Sequence, residues 1–182
     1  ASQNQARYVG IRHEQVAAAI LDATARLSGK PGVLMVHGGS GLLAASLGVA
    51  SAALDSTPMV VLSATQERKA MENGWWQTLD VQKPVGDFVK FQTRVERPDQ
   101  AVAAVRDALR ESVSGKPGVA QIDIPIDVSV EDLGEGDVPA PVKAIAPMLR
   151  PFPDPDAVAQ VVDLLRNAER PVILIGGGAN YS

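Results

Sequence analysis

Apolar residues fall along this chain in two rhythms. Val16, Ala19, Ile20, Ala23 and Leu27 recur at helical spacing and predict a helix over 15–27. Val33-Leu34-Met35-Val36 is a short apolar run bounded by Ser28-Gly29-Lys30-Pro31-Gly32 and by a glycine-rich loop. It reads as a strand buried on both faces of a parallel sheet. Leu42 to Leu54 is small and apolar, a helix set tightly on that sheet, and Met59-Val60-Val61-Leu62 returns as another buried strand. This alternation predicts right-handed strand–helix–strand crossovers.

The same pattern extends on both sides. Tyr8-Val9-Gly10-Ile11 reads as a short strand, and Gln66 to Val81 is polar and irregular. Phe88-Val89-Lys90-Phe91 alternates as a strand, Arg97 to Ser112 carries Ala101, Val105, Ala108 and Leu109 on one helical face, and Val119 to Ile124 closes the sheet. The fold class predicted over residues 1–130 is α/β, a doubly wound, mostly parallel sheet with helices on both faces. Residues 131–154 are rich in Pro, Gly and acidic side chains without apolar periodicity, the composition of a linker. Residues 155–182 read as the first helix and strand of a second α/β domain, with an amphipathic stretch over Asp156 to Ala168 and an apolar run from Arg170 to Ile175 that leads into Gly176-Gly177-Gly178. A lone helix and strand leave an apolar face wet, so these residues are expected to be part of something longer.

Composition narrows the chemistry. Seventeen basic against 21 acidic residues give a formal charge of -4 and no basic stripe, which argues against nucleic acid and for small-molecule chemistry. No apolar run is long enough for a membrane span, and the first residues lack the basic and apolar regions of a signal peptide, so a cytoplasmic location is the expectation. With no cysteine and two histidines, a protein-only metal site would need several carboxylates, and none show ligand spacing.

Glu14, in Arg12-His13-Glu14-Gln15, is the candidate catalytic residue, because a strand-to-helix junction is where an α/β sheet presents groups to a ligand. Taken alone, a first-turn glutamate equally serves to complement the helix dipole. His13 points differently from its neighbour on leaving a strand, so a packing or hydrogen-bonding role is expected for it. The Gly38-Gly39-Ser40-Gly41 loop permits close ligand approach, but it lacks the Lys-Ser/Thr ending of a phosphate loop. His37, just before it, reads either as a polar substrate contact or as a satisfied histidine at a strand end. Trp75 and Trp76 read as interface or core aromatics.

An ordered set of segments carries a resemblance: Arg12-His13-Glu14, Ser28 to Val33, the glycine loop, the Asp55-Ser56-Thr57-Pro58 strand entry, Trp76-Gln77-Thr78-Leu79-Asp80, and Lys116 to Asp127. In this order they resemble the N-terminal pyrimidine-binding domain of thiamine diphosphate-dependent enzymes. The resemblance implies a cofactor, thiamine diphosphate with Mg2+, whose diphosphate is held by a separate domain with a Gly-Asp-Gly motif and a later Asn. No such pair occurs in these residues, so that domain is expected in trans from another subunit of a homodimer or homotetramer. It also implies that Glu14 lies against the pyrimidine N1′ and favours the cofactor's imino tautomer. Gly39, Ser40 and Gly41 would line the pyrimidine, and His37 and Gln77 would contact the substrate or a subunit interface. The activity implied is carbon–carbon bond cleavage or formation beside a carbonyl, as in 2-oxo acid decarboxylases, carboligases and 2-hydroxyacyl-CoA lyases. Thr65 to Arg68 and Val113 to Gly118 look most like the 2-hydroxyacyl-CoA lyase and oxalyl-CoA decarboxylase branch, with benzoylformate decarboxylases second. This chain departs from the family in His37-Gly38 for a Thr-Ser pair, Ser40 for a proline and Thr78 for a glutamate. The alternative is a non-catalytic regulatory or nucleotide-binding module of the same architecture, using Gly176-Gly177-Gly178.

Overall fold

The first helix is fixed at both ends. His13, in an extended conformation, accepts the Gln15 backbone N–H on Nδ1 at 3.2 Å, and Gly29, left-handed at φ 67°, donates its N–H to Ala25 O at 2.9 Å. These are an N-cap and a glycine C-cap, and His13 thus has the hydrogen-bonding role expected of it. In the computed structural model, which describes residues 8–133 and 152–180, this helix is α1, Glu14–Ser28. β1 (Gly32–His37), α2 (Ser40–Leu54) and β2 (Met59–Thr65) follow, then short helices α3 (Arg68–Glu72) and α4 (Gln82–Val85). β3 (Phe91–Arg94), α5 (Ala101–Val113), β4 (Val119–Pro125) and α6 (Ile126–Val130) complete the set.

The four strands form one sheet in the order β1-β2-β4-β3, every pair parallel. Gly32, Met59 and Val119 lie level at the entry edge, and His37, Ala64 and Ile124 at the carboxyl edge. One core layer packs Leu34, Val36, Met59 and Val61 against α1, α2 and α4; the other packs Val60, Ile122 and Val95 under α5. The doubly wound α/β class read from the sequence is the class found.

Several readings are corrected. Tyr8 to Ile11 forms no strand and is exposed: β1 is the edge of the sheet, and among the described residues nothing pairs with its outer side. β1 is buried on one face only: Val33 and Met35 are exposed, since α5 covers the second face over β2, β4 and β3 but not over the edge. β3 begins at Phe91, not Phe88, because the Val85 carbonyl takes the N–H groups of both Phe88 and Val89 and holds them in a turn. Beyond these corrections, the apolar stripe of α1 is not its docking face. Val16, Ile20 and Leu27 are exposed, Leu27 to 90%, while the helix docks through Ala18 and Ala25. That docking is set by Gly48 of α2, where a Cβ would come within 2.6 Å of the Ala18 Cβ. Small residues at that contact let the two backbones approach closely, and Val16, Ile20 and Leu27 are left outside it.

Contacts divide the chain into two units, Ala1–Ala146 and Pro147–Ser182. Most of the expected linker, 134–151, lies outside the described residues. In the second unit α7 spans Pro155–Asn167, capped by the Asp154 carboxylate on the Asp156 N–H at 2.9 Å. Arg170 to Ile175 forms no strand, for want of a neighbour to complete its ladder, and Gly177–Asn180 is a 3-10 turn. The strand-end glycine loop of the alternative reading is therefore not formed. Among the described residues no helix is long and apolar enough to cross a membrane.

Candidate active site

The chain leaves β1 through a passage too narrow for side chains. Gly38 donates its N–H to Ala64 O at 2.5 Å, and a Cβ there would lie 2.6 Å from Thr65 Cγ2 and 2.7 Å from Ala64 O. Gly39 then turns at φ 66°, a conformation that favours glycine, and α2 begins at Ser40. No side chain caps this helix, so its first-turn N–H groups face the carboxyl edge of the sheet unpaired by a cap.

Glu14, the first residue of α1, reaches that same place. Its Oε1 lies 3.5 Å from the position a Gly41 Cβ would take, with His37 Cβ 3.3 Å from it on another side. The Glu14 side chain is half-buried and makes no hydrogen bond or ion pair to another described residue. The close contact of Gly48 with Ala18 holds the two helices so that their amino ends carry Glu14 and Gly41 side by side.

His37 ends β1, with its ring exposed and Nδ1 2.6 Å from Gly38 O. A carbonyl can only accept, so Nδ1 carries the proton in the neutral ring and Nε2 keeps the lone pair. Gln77 comes from the loop after α3. Its backbone is left-handed at φ 59°, its Nε2 donates to Ser40 Oγ at 3.0 Å, and its Oε1 is buried without a hydrogen-bond partner. Glu14, His37, Gly39, Ser40, Gly41 and Gln77 thus gather at one end of the sheet. The neighbouring Trp75 and Trp76 are 70% and 76% exposed, so neither is a core aromatic.

Two further features were not singled out as site residues from the sequence. Thr65, the last residue of β2, is buried beside Gly38 with its hydroxyl unpartnered. Gln121 and Asp123 are polar residues inside the apolar run of β4, which was the available signal, and both are buried. Near them Arg68 binds Asp127 through Nε at 2.7 Å, Glu131 through Nη2 at 2.8 Å and the Glu96 carbonyl through Nη1 at 2.9 Å, tying α3 to α6. Partial burial pushes the Asp127 carboxyl up, but the hydrogen bonds from the Arg68 side chain and backbone outweigh it and hold the group below its ordinary value.

The glycine turn, the helix amino end and the carboxylate all lie at the carboxyl edge of a parallel α/β sheet, the edge at which open sheets of this class bind ligands. Residues 1–84 match the model of the family described as thiamine pyrophosphate enzyme, N-terminal TPP binding domain. The whole chain is similar to oxalyl-CoA decarboxylase of Escherichia coli K12, at 32% identity over 97% of this chain and 32% of that protein. It is also similar to the acetolactate synthase large subunit of Parasynechococcus marenigrum, at 35% over 98% and 29%, and to human 2-hydroxyacyl-CoA lyase 1, at 29% over 100% and 31%. The chain is thus similar to the N-terminal part of thiamine pyrophosphate enzymes. It spans about a third of the length of these relatives.

Proposed function

We propose that these residues are the pyrimidine-binding part of an enzyme that breaks or forms a carbon–carbon bond next to a carbonyl, acting on a 2-oxo acid or a 2-hydroxyacyl-CoA. The observation that carries this reading is the Glu14 carboxyl, half-buried, with no partner among the described residues and flanked by a glycine. That donor fits thiamine diphosphate: an available carboxyl for a ring nitrogen, beside a helix amino end that carries no side-chain cap. When bound, the cofactor supplies a nucleophilic ring carbon and an electron sink for the bond that changes.

The chain's own residues have separable tasks. Glu14 Oε1 would hold a proton at the pyrimidine N1′ of a bound cofactor and so favour its reactive tautomer. Gly39, Ser40 and Gly41 form the wall against which the pyrimidine lies. His37, its tautomer set by Gly38 O, presents Nε2 to take or return a proton on the substrate side. Gln77 holds Ser40. The cofactor's diphosphate and Mg2+ belong to a separate domain, supplied by another subunit of a homodimer or homotetramer in the cytoplasm. The exposed apolar side chains of Ile20 and Leu27 on α1 and of Leu47 and Leu54 on α2 support contact with that subunit, since these are the helices whose amino ends carry the site.

Replacing Glu14 by Gln in the complete enzyme tests the reading. Turnover is expected to fall by about two orders of magnitude or more while folding, by circular dichroism, and subunit assembly, by sedimentation, persist. Undiminished turnover would remove Glu14 from the chemistry and favour a non-catalytic module.

A further inference from the structure

The sheet's interior holds a chain of polar side chains that the cofactor site does not use. It starts at Ser63 of β2, whose Oγ accepts from Gln121 Nε2 at 3.1 Å and lies 3.5 Å from Asp123 Oδ1. From Gln121 and Asp123 of β4 it crosses to β3. Gln92 Nε2 donates to Gln121 Oε1 at 2.7 Å, and Arg94 Nε donates to Asp123 Oδ2 at 2.6 Å. The register places these residues level and on one face, with Gln92 opposite Gln121 and Arg94 and Ser63 both opposite Asp123. Asp123 is 0% exposed.

Apolar residues of similar volume would serve a core at least as well, because burying an ion pair costs desolvation that its attraction often does no more than offset. What distinguishes this network is where it comes out. Gln92 Nε2 also donates to the Gln82 carbonyl at 2.8 Å, and Arg94 Nη2, buried and without a hydrogen bond, stands 3.7 Å from Asp80 Oδ1. Asp80 Oδ1 in turn accepts the Gln82 N–H at 3.4 Å. Both threads end on residues 80–82, the stem of the loop that carries Gln77. Three residues upstream of that stem, Gln77 adopts its left-handed backbone, lies with its carbonyl 3.2 Å from the Cβ position of Gly39, and holds Ser40 Oγ.

We infer that Arg94, held by Asp123 and facing Asp80, is a positioning residue. It pins the stem of the Gln77 loop to the rigid centre of the sheet and so sets how closely Gln77 closes on Gly39 and Ser40. The inference rests on the reading of Ser40 and Gly41 as the pyrimidine wall, and it adds to that reading the part of the fold that fixes the wall's outer side. Charge placed in the middle of a parallel sheet is then explained by the loop it reaches and not by the core it occupies.

Asp80→Asn is the incisive change, because it leaves the Arg94–Asp123 pair intact and weakens the attraction of Arg94 to the loop stem, losing besides only the exposed Lys83–Asp80 pair at 3.5 Å. Hydrogen exchange followed by mass spectrometry on the complete enzyme, without substrate, is expected to show at least tenfold faster exchange in peptides covering 74–81, with peptides covering 119–125 unchanged. Unchanged exchange in 74–81 would overturn the inference. Equal acceleration in both regions would overturn it too, by making the network an element of core stability alone. The route through Gln77 has its own reading in turnover. The losses in Asp80→Asn and Gln77→Ala are expected to be less than additive when combined, and full additivity would show that the tether does not act through Gln77. The exchange result does not depend on Glu14, so a failed Glu14→Gln test and a failed tether remain distinguishable.

Discussion

Exchanging Gly41 for Ala adds one methyl group at the second residue of α2, and its neighbours are already known. The new Cβ would lie 3.3 Å from His37 Cβ, 3.5 Å from Glu14 Oε1 and 3.6 Å from Val36 Cβ. None of these falls below 3.0 Å, so shifts of a few tenths of an ångström accommodate it. Alanine in place of glycine favours a helix by about 0.5–1 kcal/mol, less near a helix end, and the tight contact with His37 takes back part of that gain. Stability is therefore expected to change by less than about 1 kcal/mol, or roughly 2–4 °C in Tm for a domain of this size. Cofactor binding is expected to change far more, because the methyl stands beside the carboxyl where the pyrimidine should lie. A tenfold or greater loss of thiamine diphosphate affinity, about 1.4 kcal/mol, is the expected result. Thermal unfolding of the cofactor-free complete enzyme and calorimetric titration with thiamine diphosphate measure the two quantities separately. Retained Tm with unchanged affinity would refute the placement of the ring over Gly41. Gly38→Ala is the opposite case, since its Cβ would meet backbone atoms at 2.7 and 2.8 Å, and it should cost about 1–3 kcal/mol in folding before any question of binding arises.

His37→Gln keeps a hydrogen-bonding side chain but removes the proton acceptor, so turnover should drop by about 10²-fold with Tm preserved; full turnover would make His37 a surface residue of the site. Asp127→Asn tests the Arg68 cluster through pH. The folded-state carboxyl sits below its ordinary value of 3.8, so its stabilisation is complete above that value and is lost as pH falls through the lower folded value. The variant should unfold at a lower temperature than wild type at pH 7, with the gap narrowing towards pH 3; a gap that does not depend on pH would assign the effect to packing.

Much of this arrangement is legible in the sequence because a parallel sheet writes its strands as apolar runs and its turns as glycine and proline. Gly32, Gly38 and Gly118 mark the ends of β1 and the start of β4 closely, and Glu14 is conspicuous as a carboxylate at the start of a helix. What periodicity does not contain is direction. The stripe of Val16, Ile20 and Leu27 has helical spacing, but nothing in spacing says that Ala18 and Gly48 dock more closely and leave that stripe outside. Edges are hidden for the same reason: Val33 and Met35 look like a strand covered on both sides, and only the strand order shows that β1 is an edge strand with one face bare. The contact of Gln77 with Ser40 joins residues 37 positions apart, and its left-handed backbone belongs to a residue type that gives no local sign of it.

All four strands run the same way, and that gives the domain a chemical front and a mechanical back. Every residue proposed to meet the cofactor lies where the strands end, while the turns that feed the strands, at Gly29 before β1 and Gly115 before β4, are at the opposite end with open space around them. A dye, a spin label or a surface tether placed on either turn would sit a full strand length from Glu14. The domain can therefore be labelled, or fixed to a support, at the end away from the proposed site.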